Sequence, residues 1–445
     1  MGAPFLANPQ AAVLYPLHFP LLWLSVTAQV YWSAAIHTWL LGFGGYLLMR
    51  RMGNGWLAGL VTALTLAGSG FYGGMIGHLN QMNGAAWLSW LLLAVTPAVG
   101  VVRGWRAALL SAAGCTLVVA MMLLAGHTQT AYINLFAVGL WVLALAVRTW
   151  LLGRRQPELA LERWFVPLGI YSCGVLLGAM LAAPQLLPTL ELSQLGIRSG
   201  GMSFVESTSF SLKPFALLWT LLPTYGFASY EGIFETAAWS EFVAWVGIVG
   251  LLFAFAGALK GRGVARWLGI GLAVLGLLLA LGRWNPAYWL LHQFVPGFDL
   301  FRTPARWMML YTMGAALLAG LGAGVLEGAL QSWRNRSQEQ RNTLGRIFAV
   351  GLPTLVAVDL LLAFTALPQH RPTAPEAVYG LRTAPAHLKS DPERLASDAS
   401  GNDPGGSARF LGMRRSPMTR ATWRTRRASI AIRKHLNSMK RLSTS

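Results

Sequence analysis

Apolar runs of about 20 residues recur along most of the chain, separated by short polar gaps, and this pattern predicts about ten membrane-spanning helices. They fall near residues 30–50, 55–72, 83–101, 105–124, 129–150, 165–186, 239–259, 264–282, 305–328 and 345–367. The gaps between them sort by charge. Arg50 and Arg51, Arg103 and Arg106, Arg148, Arg154, Arg155 and Arg163, Lys260, Arg262 and Arg266, and Arg334, Arg336, Arg341 and Arg346 occupy alternate gaps. The intervening gaps hold chiefly Arg198, Lys213, Arg283, Arg302 and Arg306. The imbalance of about 15 to about 5 marks the first set as cytoplasmic and puts both the visible start and the region after residue 367 outside.

The expected fold is all-α, a polytopic transmembrane bundle of about ten spans with loops on the outer face and a disordered basic tail. Residues 1–29 read as the remnant of a first outer loop, whose stretch 16–26 is too short to span and suits an interfacial helix. Residues 30–186 hold helices one to six, 187–238 an outer loop, 239–367 helices seven to ten, and 368–445 the tail.

Composition agrees with a membrane protein and excludes an ordinary soluble domain: 55% hydrophobic and 11% charged residues, with a mean hydropathy of +0.49. The net charge of +19 comes from the cytoplasmic gaps and from the tail, and no nucleic-acid motif accompanies it, so nucleic acid is not an expected partner. Cys115 and Cys173 fall inside apolar runs and read as small hydrophobes rather than a disulfide or metal framework. The start lacks a signal peptide although the topology puts it outside, which suggests a missing upstream helix. The tail, with Gly405-Gly406-Ser407 followed by Arg414, Arg415, Arg420, Arg424, Arg426 and Arg427, has few large apolar residues to build a core; a slip of reading frame would produce it.

Candidate chemistry gathers at helix ends on the outer side. Gly77-His78-Leu79-Asn80-Gln81, Gly126-His127-Thr128-Gln129 and Ala183-Pro184-Gln185 repeat a theme of donors and acceptors that lipid cannot satisfy. His78, Gln81, His127, Gln129 and Gln185 are therefore candidate substrate-binding residues, although helix capping and interfacial water would also explain the histidines. Two distant histidines without matching carboxylates make a weak case for a metal, and none is expected.

The block Pro296-Gly297-Phe298-Asp299-Leu300-Phe301-Arg302-Thr303-Pro304-Ala305-Arg306 brings two arginines and a carboxylate to the same level. The i, i+4 spacing across a helix start at Pro304 puts Arg302 and Arg306 near one face, where two guanidinium forks and the helix N-terminus suit a phosphate. Snorkelling to lipid phosphates is the plainer alternative. Asp299 is a weak catalytic candidate. The outer loop adds Glu191, Glu206, Glu231, Glu235 and, at its end, Glu241, any of which could serve as a base or be a solvated charge. The stretch 213–219 resembles an amphipathic interfacial helix.

These residues resemble a family. The start 2–10 with Tyr15-Pro16, the Gly-His helix ends, Ala183-Pro184-Gln185 and the Phe-Arg-x-Pro-x-Arg block look like bacterial YfhO-type polytopic membrane proteins, which are similar to GT-C glycosyltransferases. The resemblance runs from about residue 2 to about residue 380. It implies transfer of a sugar from a polyprenyl-phosphate carrier to a cell-envelope glycopolymer or lipid, at the outer face of the bacterial plasma membrane. The catalytic carboxylate of such enzymes lies in the first outer loop, and no acidic residue precedes the first span here. That role thus falls upstream of the chain, or to another carboxylate such as Asp299, or is lost. The tail also departs from the expected outer domain. Two rival readings remain: a transporter or flippase for a lipid-linked or anionic substrate, for which Asp359 is the one acidic residue deep in an expected span, and a non-catalytic fragment.

Overall fold

The structure is a computed structural model, which describes residues 5–96, 105–155, 165–196, 199–331 and 338–367. The basic tail lies outside the described residues, as do Arg103, Arg163, Arg198, Arg334 and Arg336.

Helices and short 3₁₀ turns make up the regular structure, with no strand among the described residues. Among the described residues, five helices are long and apolar enough to cross a membrane: Trp56–Gly77, Trp105–Leu124, Thr128–Leu151, Pro304–Ala329 and Gly345–Phe364. Val166–Leu181 and Ala183–Gln194 make a sixth if the pair counts as one span, although they meet at 79°. The protein is a membrane-embedded helical bundle with several such helices.

The geometry departs from the ten expected spans at identifiable residues. The first run forms a long helix, Val26–Arg51, whose apolarity is diluted by Gln29, Ser33, His37 and Thr38. The third becomes two short helices, Leu79–Ala85 and Leu88–Val95, and its end lies outside the described residues. The sixth bends after Ala182, where Pro184 removes an N–H that a continuous helix would use.

The seventh run is helical only from Ile248 to Lys260. Before it, 242–246 runs as buried, non-helical backbone, and Gly247 turns the chain at φ 78°. Asp359 from the helix Gln338–Phe364 restarts the helix there by accepting the Val249 N–H at 2.9 Å and the Tyr225 hydroxyl. The acid deep in a span is thus the cap of a neighbouring helix N-terminus. The expected interfacial stretch 16–26 is a 3₁₀ turn, Pro16–Leu21, and 213–219 forms Pro214–Ala216 and Leu217–Leu221 with Phe215 and Leu218 exposed.

The core sits around Pro304–Ala329, the most buried of the candidate spans at 83%. Ile248–Lys260, Val264–Ala280 and Trp56–Ala67 pack on it through small residues. A Cβ on Gly322 would stand 1.9 Å from the Phe253 carbonyl oxygen, and one on Gly257 would stand 2.0 Å from that of Leu318. Glycine is required because the two backbones touch.

The segment 5–21 lies across the helix ends as a strap, fastened by a directional chain of hydrogen bonds. Trp87 Nε1 donates to Tyr15 Oη at 2.9 Å, Tyr15 to His37 Nε2 at 2.7 Å, and His37 Nδ1 to the Ser33 carbonyl at 2.6 Å. The order is forced because indole only donates and a carbonyl only accepts.

Gly322→Ala is expected to cost about 1–3 kcal/mol of stability through forced separation of the two helices. Gly324→Ala is the matched control, since its Cβ would meet only Ala58 Cβ at an ordinary 3.7 Å. Thermal melting of the two variants in the same detergent checks the difference.

Candidate functional site

A cavity of about 480 Å³ opens at one end of the bundle, and the two Gly-His helix ends meet the arginine block there. Four segments wall it: Pro9 and Gln10 of the strap, 77–81, 126–129, and 300–302 with Arg306. Each is positioned by local chemistry. Gly126, at φ 91°, lets the strap pass, since a Cβ there would lie 2.5 Å from the Pro9 carbonyl. His127 then caps the helix that begins at Thr128, its Nδ1 standing 3.1 Å from the Thr130 backbone N and 2.6 Å from Thr130 Oγ1.

The arginine block is held from behind by rings and from the side by backbone. Phe298 stacks on Trp307 at 5.6 Å and meets Tyr132, Phe136 and Tyr288 edge-on. Thr303 adopts φ 69°, a conformation unfavourable for a β-branched residue by about 1–3 kcal/mol. Three hydrogen bonds hold it there: Thr303 N to Ser209 O at 3.1 Å, Ala305 N to Phe210 O at 3.3 Å, and Gln129 Nε2 to Arg302 O at 2.6 Å.

The two arginines expected at a phosphate both line the cavity, but their surroundings differ. Arg306 is buried against Glu241, with Nε 2.9 and 3.1 Å from the carboxylate oxygens and Nη2 also on Oε1. Its Nη1 donates to Gln129 Oε1 at 2.7 Å and stands 3.3 Å from His127 Nε2. The side chains of Arg306 and Glu241 are 19% and 7% exposed, so the pair is held out of water. Arg302 is exposed in the cavity wall, and its guanidinium makes no hydrogen bond or ion pair among the described residues. The spacing is helical only from Pro304 onward, so the positive-φ turn at Thr303 separates the two side chains.

Of the other candidates, His78, Gln81, His127 and Gln129 line the same cavity. Gln81 is 3% exposed, and its Nε2 has no hydrogen-bond partner among the described residues. A buried donor left unpaired costs about 1–3 kcal/mol and marks a place for a ligand acceptor. Gln185 lies elsewhere: its Nε2 donates to the Leu6 carbonyl, while Thr189 binds that of Ala7, so this helix end fastens the strap. Asp299 is half-buried beside Gly201 and is not a lining residue. Among the described residues no carboxylate lines the cavity, and no cluster of three or more His, Cys, Asp or Glu could hold a metal.

Glu241 and the strap are the parts that the linear pattern did not single out. Glu241 read as one of five loop carboxylates; only its step out of the loop into an apolar run hinted at pairing. Asn80, whose Nδ2 holds the Gln10 carbonyl at 2.6 Å, stood within the quoted helix end without a role.

Burial, then the charge of Arg306 and the neighbouring His78, hold the His127 imidazole well below its ordinary value, to about 3. From about pH 6.5 down to about 3 the unfolded chain binds more protons at this residue, so it costs folded-state stability as pH falls through that window and has no effect above it. In the ligand-free protein, ¹⁵N NMR of labelled histidines should show His127 singly protonated at about pH 5. Arg306→Ala is expected to lose about 3–5 kcal/mol because it strands the buried Glu241, while Arg302→Ala should stay within about 0.5 kcal/mol of wild type. Equal melting temperatures for the two variants would contradict this division.

No family model, curated protein or solved structure matches the chain, so the account of this site rests on its own geometry.

Proposed function

We propose that the chain is a glycosyltransferase-like membrane protein that moves a sugar from a polyprenyl-phosphate carrier to a cell-envelope glycopolymer or lipid at the outer face of the bacterial plasma membrane. The supporting observation is one cavity that joins an unpaired cation, Arg302, to the buried and unpartnered amide donor of Gln81. Such a wall can hold a phosphate at one point and a hydroxyl or ring oxygen at another.

In this reading the acceptor hydroxyl oxygen bonds to the sugar's anomeric carbon as the bond from that carbon to the phosphate oxygen breaks. The carrier phosphate leaves with the electron pair. Arg302 stabilises the charge that grows on it, while Arg306, already matched by Glu241 and Gln129, keeps the cavity wall in place. The acceptor's proton passes to a base from outside the lining, and Asp299, next in sequence to Leu300, is the nearest acidic residue along the chain. His78, Gln81 and Gln129 would orient sugar hydroxyls.

The transporter reading gains no comparable support. Its intramembrane acid, Asp359, is engaged by the Val249 N–H and the Tyr225 hydroxyl, and the polar cluster lies at one end of the helices rather than at their middle.

Arg302→Ala should abolish sugar transfer from polyprenyl-phosphate donors in membranes while leaving the protein inserted and folded. Arg302→Lys should lose at least about tenfold, because one ammonium replaces a planar fork. Wild-type transfer by Arg302→Ala, measured with radiolabelled donor, would overturn the proposal.

A further inference from the structure

Two short helices at the cavity end of the bundle carry large apolar side chains that remain exposed. The turn Pro214–Ala216 and the helix Leu217–Leu221 present Phe215, Leu218 and Trp219, and the helix Pro286–Phe294 presents Trp289, Leu290 and Phe294. Phe215 and Phe294 are 77% and 76% exposed, and large rings left open beside other apolar groups on a short helix mark a contact surface. Each helix also turns a face inward, where Thr220 and Tyr288 are buried. Neither can span a bilayer: nine residues at about 1.5 Å each reach about 14 Å, less than half of about 30 Å of hydrocarbon.

Lipid fits these faces by continuity and by charge. The apolar helix Val264–Ala280 packs on the core helix, exposes Trp267, Val274 and Leu278 on another side, and runs through 281–285 directly into Pro286–Phe294. Neither 212–222 nor 278–298 contains an acidic residue, and an exposed cation precedes each short helix, Lys213 and Arg283. Lys213 Nζ lies 5.5 Å from the Phe215 ring centroid, and its contact with Glu235 is loose, at 3.9 Å with both side chains exposed. Apolar rings edged by cations suit a layer of phosphates above hydrocarbon. The segment 208–212 ties the two helices together: Leu212 N donates to Ala280 O at 2.9 Å and Arg283 N to Ser211 Oγ at 3.0 Å. It also holds the arm at Thr303 and Ala305. We propose that the two helices form a collar seated in the headgroup layer of the bilayer, with a lipid surface as the partner of both apolar faces. Through 208–212 the collar keeps the mouth of the cavity beside that layer. This goes beyond the sugar-transfer reading and does not depend on it.

Nitroxide labels on single cysteines test this with the full chain in vesicles of phosphatidylcholine and phosphatidylglycerol. Cys173→Ala provides the background, since Cys115 is buried. Leu218→Cys and Leu290→Cys replace exposed side chains and should leave the fold intact, while Val274→Cys and Glu231→Cys give the deep and the aqueous reference. Collision with oxygen, compared with a water-soluble nickel chelate present on both sides of the membrane, reads the depth of each label. Labels at 218 and 290 are expected about 5–10 Å into the boundary between headgroups and acyl chains, shallower than at Val274 and shielded from nickel relative to Glu231. Nickel access equal to that at Glu231, at either position, would overturn the inference by placing that face in water. Shielding from oxygen and nickel together would overturn it too, since protein then covers the face, and spin–spin broadening would identify a second copy as the cover.

Discussion

A guanidinium set at the end of an apolar bundle needs a carboxylate, and this end of the molecule is organised around the pairing of Arg306 with Glu241. Removing the two charges from water costs several kcal/mol each, and that cost is offset only when geometry and additional hydrogen bonds are good. Both conditions hold. Arg306 meets the carboxylate through Nε and Nη2, and its Nη1 donates to Gln129. The pair ties the end of the long loop to the start of the most buried helix.

Much of the surrounding architecture follows from keeping that pair in place. The Trp239–Glu241 turn leads into buried, non-helical backbone, and Asp359 supplies the cap from which helix can resume. On the other side, the rings of Phe298, Trp307, Tyr132 and Phe136 fix the arm that carries both arginines, and Gln129 clamps its backbone at the Arg302 carbonyl. With Arg306 immobilised, the exposed charge of the wall is Arg302. The polar end divides its labour accordingly: one arginine builds the wall, and the other faces what enters.

The all-helical, membrane-embedded class was legible because lipid enforces it: long apolar runs with few charges have few other homes. Helix ends were less so. Pro184, Gly247 and the polar residues of Val26–Arg51 each shorten or redirect a run that hydropathy alone extends. The convergence of His78, Gln81, His127 and Gln129 with the arginine block was readable from polarity at helix ends, since such groups must find one another or water. Partner choice was not. Glu241 lies 65 positions from Arg306, and only its place at the edge of an apolar run distinguishes it from Glu235 or Glu231, whose side chains remain exposed. Gln185 lies apart from that cluster: its helix end holds a backbone carbonyl of the same chain, that of Leu6.

The central claim is that Arg302 holds a phosphate in this cavity while Arg306 stays on Glu241. An electron cryomicroscopy structure of the chain in nanodiscs, saturated with a polyprenyl-phosphate-linked sugar, tests it most directly. The account predicts phosphate density within hydrogen-bond reach of Arg302, sugar density toward Gln81, and an intact Arg306–Glu241 pair. Phosphate bound away from the cavity, or Arg306 swung off Glu241 to reach it, would contradict the account.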